Sequence, residues 1–259
     1  MGRPRTVVIN LALSSGTYGG RVRIGTWNVA YGRGGPTNRL RRQQMDSIDA
    51  DVWVLTETHD ELSPGPDFRA VNSAQRPATS RKHVVEGSRW VTIWSRLPLL
   101  ETHIPLADVE RTVAAVVQAA RGAMIIYGTV LPWYTDSDRG GMLVELARQA
   151  PEWTTLPQQF DSPLCLAGDF NVNLGGPHYY GSDASKEAVR SRLKEASLVA
   201  MTDYDRTRSL RTEHDTIDHI AVPVRLASAS SLVAAWGRQN MDGKRLSDHS
   251  GVAVDVNGW

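Results

Sequence analysis

The sequence predicts an α/β protein in which packed β-sheets are covered by helices, and three observations support this. Many short segments have the alternating or continuous apolar character of strands, and few helical segments lie between them. The 259 residues are 41% hydrophobic and 22% charged, which is ordinary for a globular protein with a sizeable core. No repeat or linker divides the chain. We therefore predict one domain, residues 21–259, after a flexible extension of residues 1–20, and not a strictly alternating parallel barrel.

A series of apolar runs, each bounded by Gly, Pro or polar residues, predicts the main strands. In chain order they cover residues 22–28, 52–55, 90–94, 112–118, 124–130, 164–167, 216–222, 231–236 and 251–256. Residues 119–122 join the fourth and fifth runs and predict a hairpin. A further short strand is expected at residues 68–71, inside a segment rich in Pro, Gly, Ser and Arg.

Helices are predicted where apolar residues recur at helical spacing. Thr37 is suited to cap the first helix, which carries apolar residues at positions 40, 45 and 48. The second runs over residues 142–149 and ends before Pro151, because proline interrupts helical hydrogen bonding. The third covers residues 186–196.

Charge and cysteine content exclude several classes of protein. A net charge of +1 and a pI near 7.9 give no support to an extended nucleic-acid backbone surface. The single cysteine, Cys165, excludes an intramolecular disulfide and a thiolate metal cluster. No apolar run reaches membrane-spanning length. Residues 7–13, preceded by two arginines, resemble a signal peptide only weakly and lack a convincing cleavage site. We expect a cytoplasmic monomer, with secretion as the weaker alternative.

The segment at residues 164–173 suggests a functional site. An apolar run ends at Gly168, and Asp169 and Asn171 follow it. Residues two apart in an extended segment present their side chains on the same face, so the carboxylate and the carboxamide leave the strand together. Asp and Asn are also common turn residues, which is the alternative explanation.

Other strands carry polar groups in the same way. The full set is Asn28, Glu57, Asp169, Asn171, Asp218, Asp248 and His249. Each alone is explained as a turn or surface residue, but the set as a whole is not. Clustered carboxylates repel one another unless a cation compensates them, and oxygen ligands suit Mg²⁺ or Mn²⁺. A closed zinc site is disfavoured because the chain has no Cys pair and no His-x-x-x-His.

Asp218 and His249 suggest a second unit within this set. Asp218 lies in an apolar strand beside Ile217 and Ile220, where an unpaired carboxylate would be costly. A carboxylate bonded to one ring nitrogen of a histidine fixes the tautomer and raises the pKa of the ring. The histidine is then suited to act as an acid or to stabilise negative charge.

The motifs that contain these residues resemble those of the endonuclease/exonuclease/phosphatase superfamily. They are Thr26-Trp27-Asn28, Leu55-Thr56-Glu57-Thr58, Ala167-Gly168-Asp169-Phe170-Asn171, Ile217-Asp218-His219 and Ser247-Asp248-His249. Their order and spacing hold from residue 22 to the C-terminus. The resemblance implies a four-layer α/β sandwich, with two mixed sheets packed face to face, helices outside, and a cleft at one edge.

The resemblance also implies a metal site and a metal-dependent phosphoesterase activity. Glu57 would be the principal ligand of Mg²⁺ or Mn²⁺, with Asn28 and Asp248 near the ion. The chemistry implied is metal-assisted in-line displacement at phosphorus.

Roles for the remaining motif residues follow from the same resemblance. Asp169 would orient or deprotonate the attacking water, and Asn171 would hold a phosphate oxygen. His249, aligned by Asp218, would stabilise charge on the phosphoryl group or protonate the leaving oxygen.

The chain departs from the family pattern at two positions. Val130 stands where members present a His or Tyr to the phosphate, so that Trp133 or Tyr134 takes this role or the donor is missing. Ala30 stands where many nucleases have a second polar residue. Arg111 resembles a phosphate-contacting arginine of some members, and a surface arginine is an equally good explanation.

Three functions agree with these residues. We favour a phosphodiesterase that acts as a nuclease. The aromatic residues 133, 134, 179 and 180 are expected in loops near the cleft, where such rings stack on bases, meet a lipid surface or, by default, pack on one another. The second is a phosphomonoesterase for a small phosphorylated metabolite or inositol phosphate. The third is a non-catalytic binding module, which only Val130 supports. The expected partner is a phosphate ester, with nucleic acid favoured.

Overall fold

The computed structural model describes residues 20–32, 35–76, 84–133, 141–177, 179–208 and 216–258. The predicted extension lies outside these ranges except for Gly20. The strands are β1 (Arg21–Asn28), β2 (Val52–His59), β3 (Arg69–Asn72), β4 (Ser88–Ser95), β5 (Leu99–Glu101), β6 (Thr112–Ala119), β7 (Gly122–Val130), β8 (Leu164–Asp169), β9 (Leu198–Ala200), β10 (Asp218–Pro223), β11 (Ser231–Trp236) and β12 (Gly251–Asn257). The helices are α1 (Pro36–Ile48), α2 (Met142–Phe160), α3 (Asp183–Glu195), α4 (Tyr204–Thr207) and α5 (Val224–Ala227).

Within the described residues the strands form two six-stranded sheets, both mixed. The first has the order β11-β12-β1-β2-β4-β3, and the second has the order β5-β6-β7-β8-β10-β9. In the first sheet β1 is parallel to β2, and in the second β7 is parallel to β8; the other strand pairs are antiparallel. These central parallel strands carry predicted polar residues at or near their C-terminal ends: Asn28 on β1, Glu57 on β2 and Asp169 on β8.

The core between the two sheets is made by the inward side chains of both. Ile24 and Val54 of the first sheet and Ala167 and Ile220 of the second belong to this one cluster. The outer face of the first sheet packs against α1, and the outer face of the second packs against α2 and α3. Helix, sheet, sheet and helix make four layers, so the predicted sandwich is confirmed.

Helix α2 corrects the sequence prediction. It was expected to end before Pro151, but it continues through Pro151 and Pro157 to Phe160. The reason lies in its buried face, where Trp153 is 0% and Leu156 3% exposed. Burial of these two side chains offsets the roughly 3 kcal/mol that an internal proline costs.

Several other boundaries also differ from prediction. Helix α1 starts at Pro36 with Gly35 at its cap position, so the predicted Thr37 cap is wrong. Gly35 has φ 83°, which favours glycine, and proline suits the first helical position. Helix α3 starts at Asp183 and is capped by the Ser182 side chain, which accepts from the Ser185 amide. The short elements β5, β9, α4 and α5 were not predicted. None of the described helices is long and apolar enough to cross a membrane.

Gly168 was expected to end its strand, but it does not. β8 continues through it to Asp169, and Asp218 is the first residue of β10 instead of an internal one. Gly168 has φ 140°, and a Cβ atom there would overlap the carbonyl oxygen of Thr129 on β7. Only glycine allows β7 to approach β8 this closely, and this approach sets the position of Asp169.

We therefore expect Gly168→Ala to destabilise the fold by about 3 kcal/mol or more, from steric overlap and backbone strain together. Denaturant unfolding followed by circular dichroism would measure the loss. Gly65→Ala is the matched control, because its Cβ would meet nothing nearer than the Phe68 ring at 3.7 Å. Equal stability of the two variants would contradict the close approach of β7.

Candidate active site

Polar side chains from both sheets meet at one edge of the sandwich. Asn28 and Glu57 come from β1 and β2 of the first sheet, and Asp169 and Asp218 come from the neighbouring strands β8 and β10 of the second. Asp169 and Asp218 are paired directly in the strand register. His249 lies in the loop before β12. These five residues, distant in sequence, form one site.

Asn28 connects the carboxylates of this site. Its side-chain Nδ2 donates to Asp169 Oδ2 at 3.0 Å and to Glu57 Oε1 at 3.3 Å. Its backbone amide donates to Asp218 Oδ1 at 3.0 Å, and its side-chain oxygen accepts from the Ala30 amide. Asn28 is 1% exposed, and its bonds to Asp169 and Asp218 are buried. One residue therefore fixes the relative positions of three carboxylates.

Asp218 and His249 are in direct contact. The ring Nδ1 of His249 lies 2.7 Å from Asp218 Oδ2, and the backbone amide of His249 donates to the Ser247 hydroxyl. Burial alone would lower the pKa of His249, but Asp218 first and Asp169 next raise it to about 10. A raised pKa favours the positively charged imidazole, in which both ring nitrogens carry a proton, and Asp218 fixes the orientation of the ring.

Asp169 is held for a different task. Its Oδ1 accepts from the Asn171 amide at 2.9 Å, and its Oδ2 accepts from Asn28. Burial raises the pKa of Asp169 to about 7, with Asp218 adding to the shift and His249 opposing it. A carboxylate with a near-neutral pKa is a far better proton acceptor than one in its ordinary range.

Glu57 sits at a strained point of β2. Its φ of 44° places it in the left-handed region, at a cost of about 1–3 kcal/mol for a residue with a side chain. The carbonyl of Glu57 accepts from the amides of Tyr31 and Gly32 at 2.6 and 3.3 Å, which holds this conformation. Burial, and then Asp169, raise the pKa of the Glu57 carboxyl.

The acidic groups fit a divalent cation. One ligand atom each from Asp169, Asp218 and His249 lies within 4.8 Å of the others. The raised pKa values of Asp169 and Glu57 show that their negative charges are poorly compensated by the protein alone. Most of the available donors are oxygens, which suits a hard ion. None of these three residues was predicted as a ligand, since all three were assigned catalytic roles, whereas the predicted ligands Glu57 and Asn28 border this group.

Asp248 and Asn171 are placed less centrally than the sequence suggested. Asp248 is exposed, and its Oδ1 lies 3.4 Å from the Ser247 hydroxyl. Asn171 is buried, with φ 50°, and its Nδ2 donates to the carbonyl of Leu131 at 2.8 Å. Their roles at the metal and at the phosphate stay predictions.

The three residues predicted to bind substrate, Arg111, Trp133 and Tyr134, have different environments. Arg111 is 5% exposed, and its guanidinium lies 4.6 Å from the centre of the Trp90 ring. Trp133 packs against the core between the sheets. Tyr134 lies outside the described residues. Val130 is 1% exposed and belongs to that same core, so this position of β7 presents no polar group.

Sequence reasoning missed a stack of rings and guanidinium groups beside Glu57. The guanidinium of Arg76 lies 3.4 Å from the centre of the Trp90 ring and 5.0 Å from that of Tyr31. Tyr31 is hydrogen-bonded to both Glu57 and Arg76. With Arg111 over Trp90, two cations and two rings form one wall of the site. Nothing in the local sequence marks Tyr31 or Arg76, because only the fold brings them together.

Comparison with known proteins agrees with this geometry. The model of the endonuclease/exonuclease/phosphatase family matches residues 25–249. The chain belongs to this family. The similarity predicted from the motifs is thereby confirmed, and the protein is a phosphoesterase of the family with a candidate metal site at Asp169, Asp218 and His249.

Solved structures share the fold at low sequence identity. The catalytic domain of human Nocturnin with bound sulfate is 15% identical, with 98% of this chain and 99% of that one covered and a TM-score of 0.66. An AP endonuclease from Archaeoglobus fulgidus is 18% identical, with 92% and 100% covered and a TM-score of 0.60. A 3′-5′ exonuclease from Neisseria meningitidis is 21% identical, with 91% and 100% covered and a TM-score of 0.58. No curated protein sequence matches the chain.

The raised pKa of Asp169 gives a prediction for the metal-free protein. Because the folded-state pKa lies above the unfolded value, stability is highest when the carboxyl is protonated and falls as pH rises through about 7. Asp169→Asn removes this charge and keeps the size of the side chain. We expect the melting temperature of the variant in EDTA to match wild type near pH 4 and to exceed it at pH 8. A difference that does not depend on pH would contradict the buried charge at Asp169.

Proposed function

We propose that this phosphoesterase is a divalent-metal-dependent phosphodiesterase that acts on nucleic acid. The observation that carries the proposal is the close approach of Asp169 to the Asp218–His249 pair, with ligand atoms within 4.8 Å of one another. A proton acceptor and a positively charged imidazole then face the same small volume. A group that takes a proton from water and a group that stabilises negative charge both accelerate hydrolysis of a phosphate diester.

Asp169 is assigned as the group that orients and deprotonates the attacking water. Burial raises the pKa of its carboxyl above the ordinary range, which favours acceptance of a proton. The side-chain Nδ2 of Asn28 and the backbone amide of Asn171 donate to its two oxygens, which fixes the direction from which water is bound. Positioning of this kind accounts for much of the rate in phosphoryl transfer.

His249 is assigned as the group that stabilises charge at phosphorus or on the leaving oxygen. Asp218 occupies Nδ1 and keeps the ring protonated, so Nε2 is the nitrogen that can donate to substrate. Asn171 is assigned to a phosphate oxygen, as the family resemblance implies.

Glu57, Asn28 and Asp248 are assigned to hold Mg²⁺ or Mn²⁺. When bound, such an ion supplies positive charge to the phosphate oxygens as the reaction proceeds. We favour the Glu57 side of the site over an ion placed between Asp218 and His249, because those two side chains already bond to each other at 2.7 Å. Asn28 Nδ2 donates to both Glu57 and Asp169 and so fixes the position of the Glu57 carboxylate relative to that of Asp169.

A pocket beside His249 supports a nucleic-acid substrate. Its walls include Tyr179, Tyr180 and Arg238, and we call it the tyrosine pocket. Aromatic rings next to a phosphate site suit bases, and several structures with the same fold are nucleases by name. A phosphomonoesterase is the alternative, because the catalytic groups would serve a monoester equally well. A non-catalytic module is disfavoured, since an inert scaffold has no reason to bury Asp169 and Asp218 together.

The proposed function predicts a metal-dependent activity on nucleic acid. Purified protein with Mg²⁺ or Mn²⁺ should hydrolyse plasmid DNA, RNA or short oligonucleotides faster than inositol phosphates, sphingomyelin or small phosphomonoesters. EDTA should abolish the activity, and added Mg²⁺ or Mn²⁺ should restore it. Glu57→Gln should weaken Mn²⁺ binding in calorimetry without lowering the melting temperature in EDTA, because it removes a buried charge. Full activity in chelator would overturn the metal assignment, and turnover of monoesters alone would favour the phosphomonoesterase.

Asp218 and His249 should act as one unit. If the carboxylate only orients and charges the imidazole, then Asp218→Asn, His249→Ala and the double variant should lose similar rate, each about 10²–10⁴-fold. Single-turnover hydrolysis of the preferred substrate measures the three losses. Rates that multiply in the double variant would show that the two side chains work independently.

A further inference from the structure

The tyrosine pocket is a defined cavity that the catalytic groups do not fill. Its volume is about 240 Å³. Its lining residues include Asp218, Asp248, His249, Tyr179, Tyr180 and Arg238. Pockets for drug-sized ligands are usually about 300–1,000 Å³, so this one has room for a single small unit next to the phosphate and not for an extended ligand.

The tyrosine side of the pocket is held by a buried residue. Asn173 is 1% exposed, and its Oδ1 accepts from the amides of Tyr179 and Tyr180 at 3.1 and 2.9 Å. Its Nδ2 donates to the carbonyls of Gly175 and Pro177, both at 3.0 Å. One carboxamide thus ties both ends of the loop to the segment that directly follows β8 and Asp169. The loop is set in place by the same segment as the catalytic carboxylate.

The two rings are fixed and remain reachable. Tyr179 and Tyr180 are half-buried, with ring centres 6.3 Å apart and planes tilted by 49°. The Tyr179 hydroxyl accepts from Arg238 Nη2 at 2.8 Å, which holds the phenol from its outer end. A guanidinium has five donor hydrogens, so one bond to Tyr179 leaves others for a base edge or a sugar oxygen.

The charge of the lining indicates the kind of ligand. Asp218, Asp248, His249 and Arg238 make the pocket unsuited to an acyl chain, because burying charged groups against hydrocarbon is costly. Aromatic rings beside hydrogen-bond donors suit a planar group with a polar edge. A nucleobase has both properties and is small enough for the cavity.

We propose that the tyrosine pocket binds the nucleoside on one side of the scissile phosphate and stacks its base on Tyr179 or Tyr180. This rests on the proposed function and extends it, since it assigns base recognition to residues next to His249. The pocket then selects substrates whose phosphate is flanked by an intact base, and a small phosphomonoester leaves the pocket empty.

The test uses an oligonucleotide with a single natural phosphodiester among methylphosphonate linkages. Four versions are compared, in which tetrahydrofuran replaces neither nucleoside, the 5′ nucleoside, the 3′ nucleoside, or both at the cleavable bond. Loss of the base on one side should lower kcat/KM by roughly 10- to 100-fold, the effect of one stacked base. Loss of the other base should matter far less.

Variants connect this preference to the pocket. In Tyr179→Ala or Tyr180→Ala, the ratio of kcat/KM between base-containing and base-free substrates should fall towards one. Tyr179→Phe is the matched control, because it keeps the ring and removes the hydroxyl that accepts from Arg238, so it should retain most of the preference. Thermal melts check folding, and the comparison of the four substrates with wild-type protein stands even if an alanine variant fails to fold.

The outcomes separate the two proposals. Equal hydrolysis of all four oligonucleotides, or faster hydrolysis of the base-free versions, would overturn the base-binding pocket and leave the nuclease proposal standing. A base preference that both alanine variants retain would also overturn it. Hydrolysis of phosphomonoesters with no cleavage of any oligonucleotide would instead overturn the proposed nuclease function, and the inference with it.

Discussion

The burial of several carboxylates around a single asparagine, Asn28, is the constraint on which this site depends. Asp169 and Asp218 are each 1% exposed and lie on neighbouring strands, where their charges repel. Asn28 satisfies both of them and also Glu57, while its own carbonyl accepts from the Ser247 hydroxyl at 2.6 Å. If Asn28 moved, each carboxylate would lose a donor in a place that water hardly reaches. The ends of β1, β2, β8 and β10 are therefore fixed relative to one another.

The sandwich makes this arrangement possible because neither sheet could do so alone. Asn28 and Glu57 belong to one sheet, and Asp169 and Asp218 belong to the other. The apolar core between the sheets holds the two pairs at hydrogen-bonding distance at its edge. Core packing thus determines the geometry of the polar site. Gly168 contributes to both, because it lies in the packed strand β8 directly before Asp169. Its lack of a Cβ lets β7 approach the strand that ends in Asp169.

The sequence was informative where local pattern and final environment agree. The apolar runs identified the main strands, and the strand-end residues Asn28, Asp169 and His249 do meet. Prediction was wrong where tertiary burial overrode a local rule, as at Pro151, inside a helix that Trp153 anchors. It was silent where only the fold creates the contact. Tyr31 and Arg76 are such a case, because no spacing in the sequence relates them to Glu57.

Val130 replaces the polar side chain that the family resemblance implies at the end of β7, while Asp169, Asp218 and His249 are still in place. The side chain of Val130 is buried in the core, at the position where the family resemblance implies a polar group. Its backbone amide donates to the carbonyl of Arg111, whose side chain belongs to the wall of the site. Trp90 there contacts the guanidinium groups of Arg76 and Arg111. Arg76 also lowers the pKa of Glu57, against the larger effects of burial and Asp169. Positive charge therefore reaches this wall from outside β7, and a valine at its end does not by itself indicate an inactive scaffold.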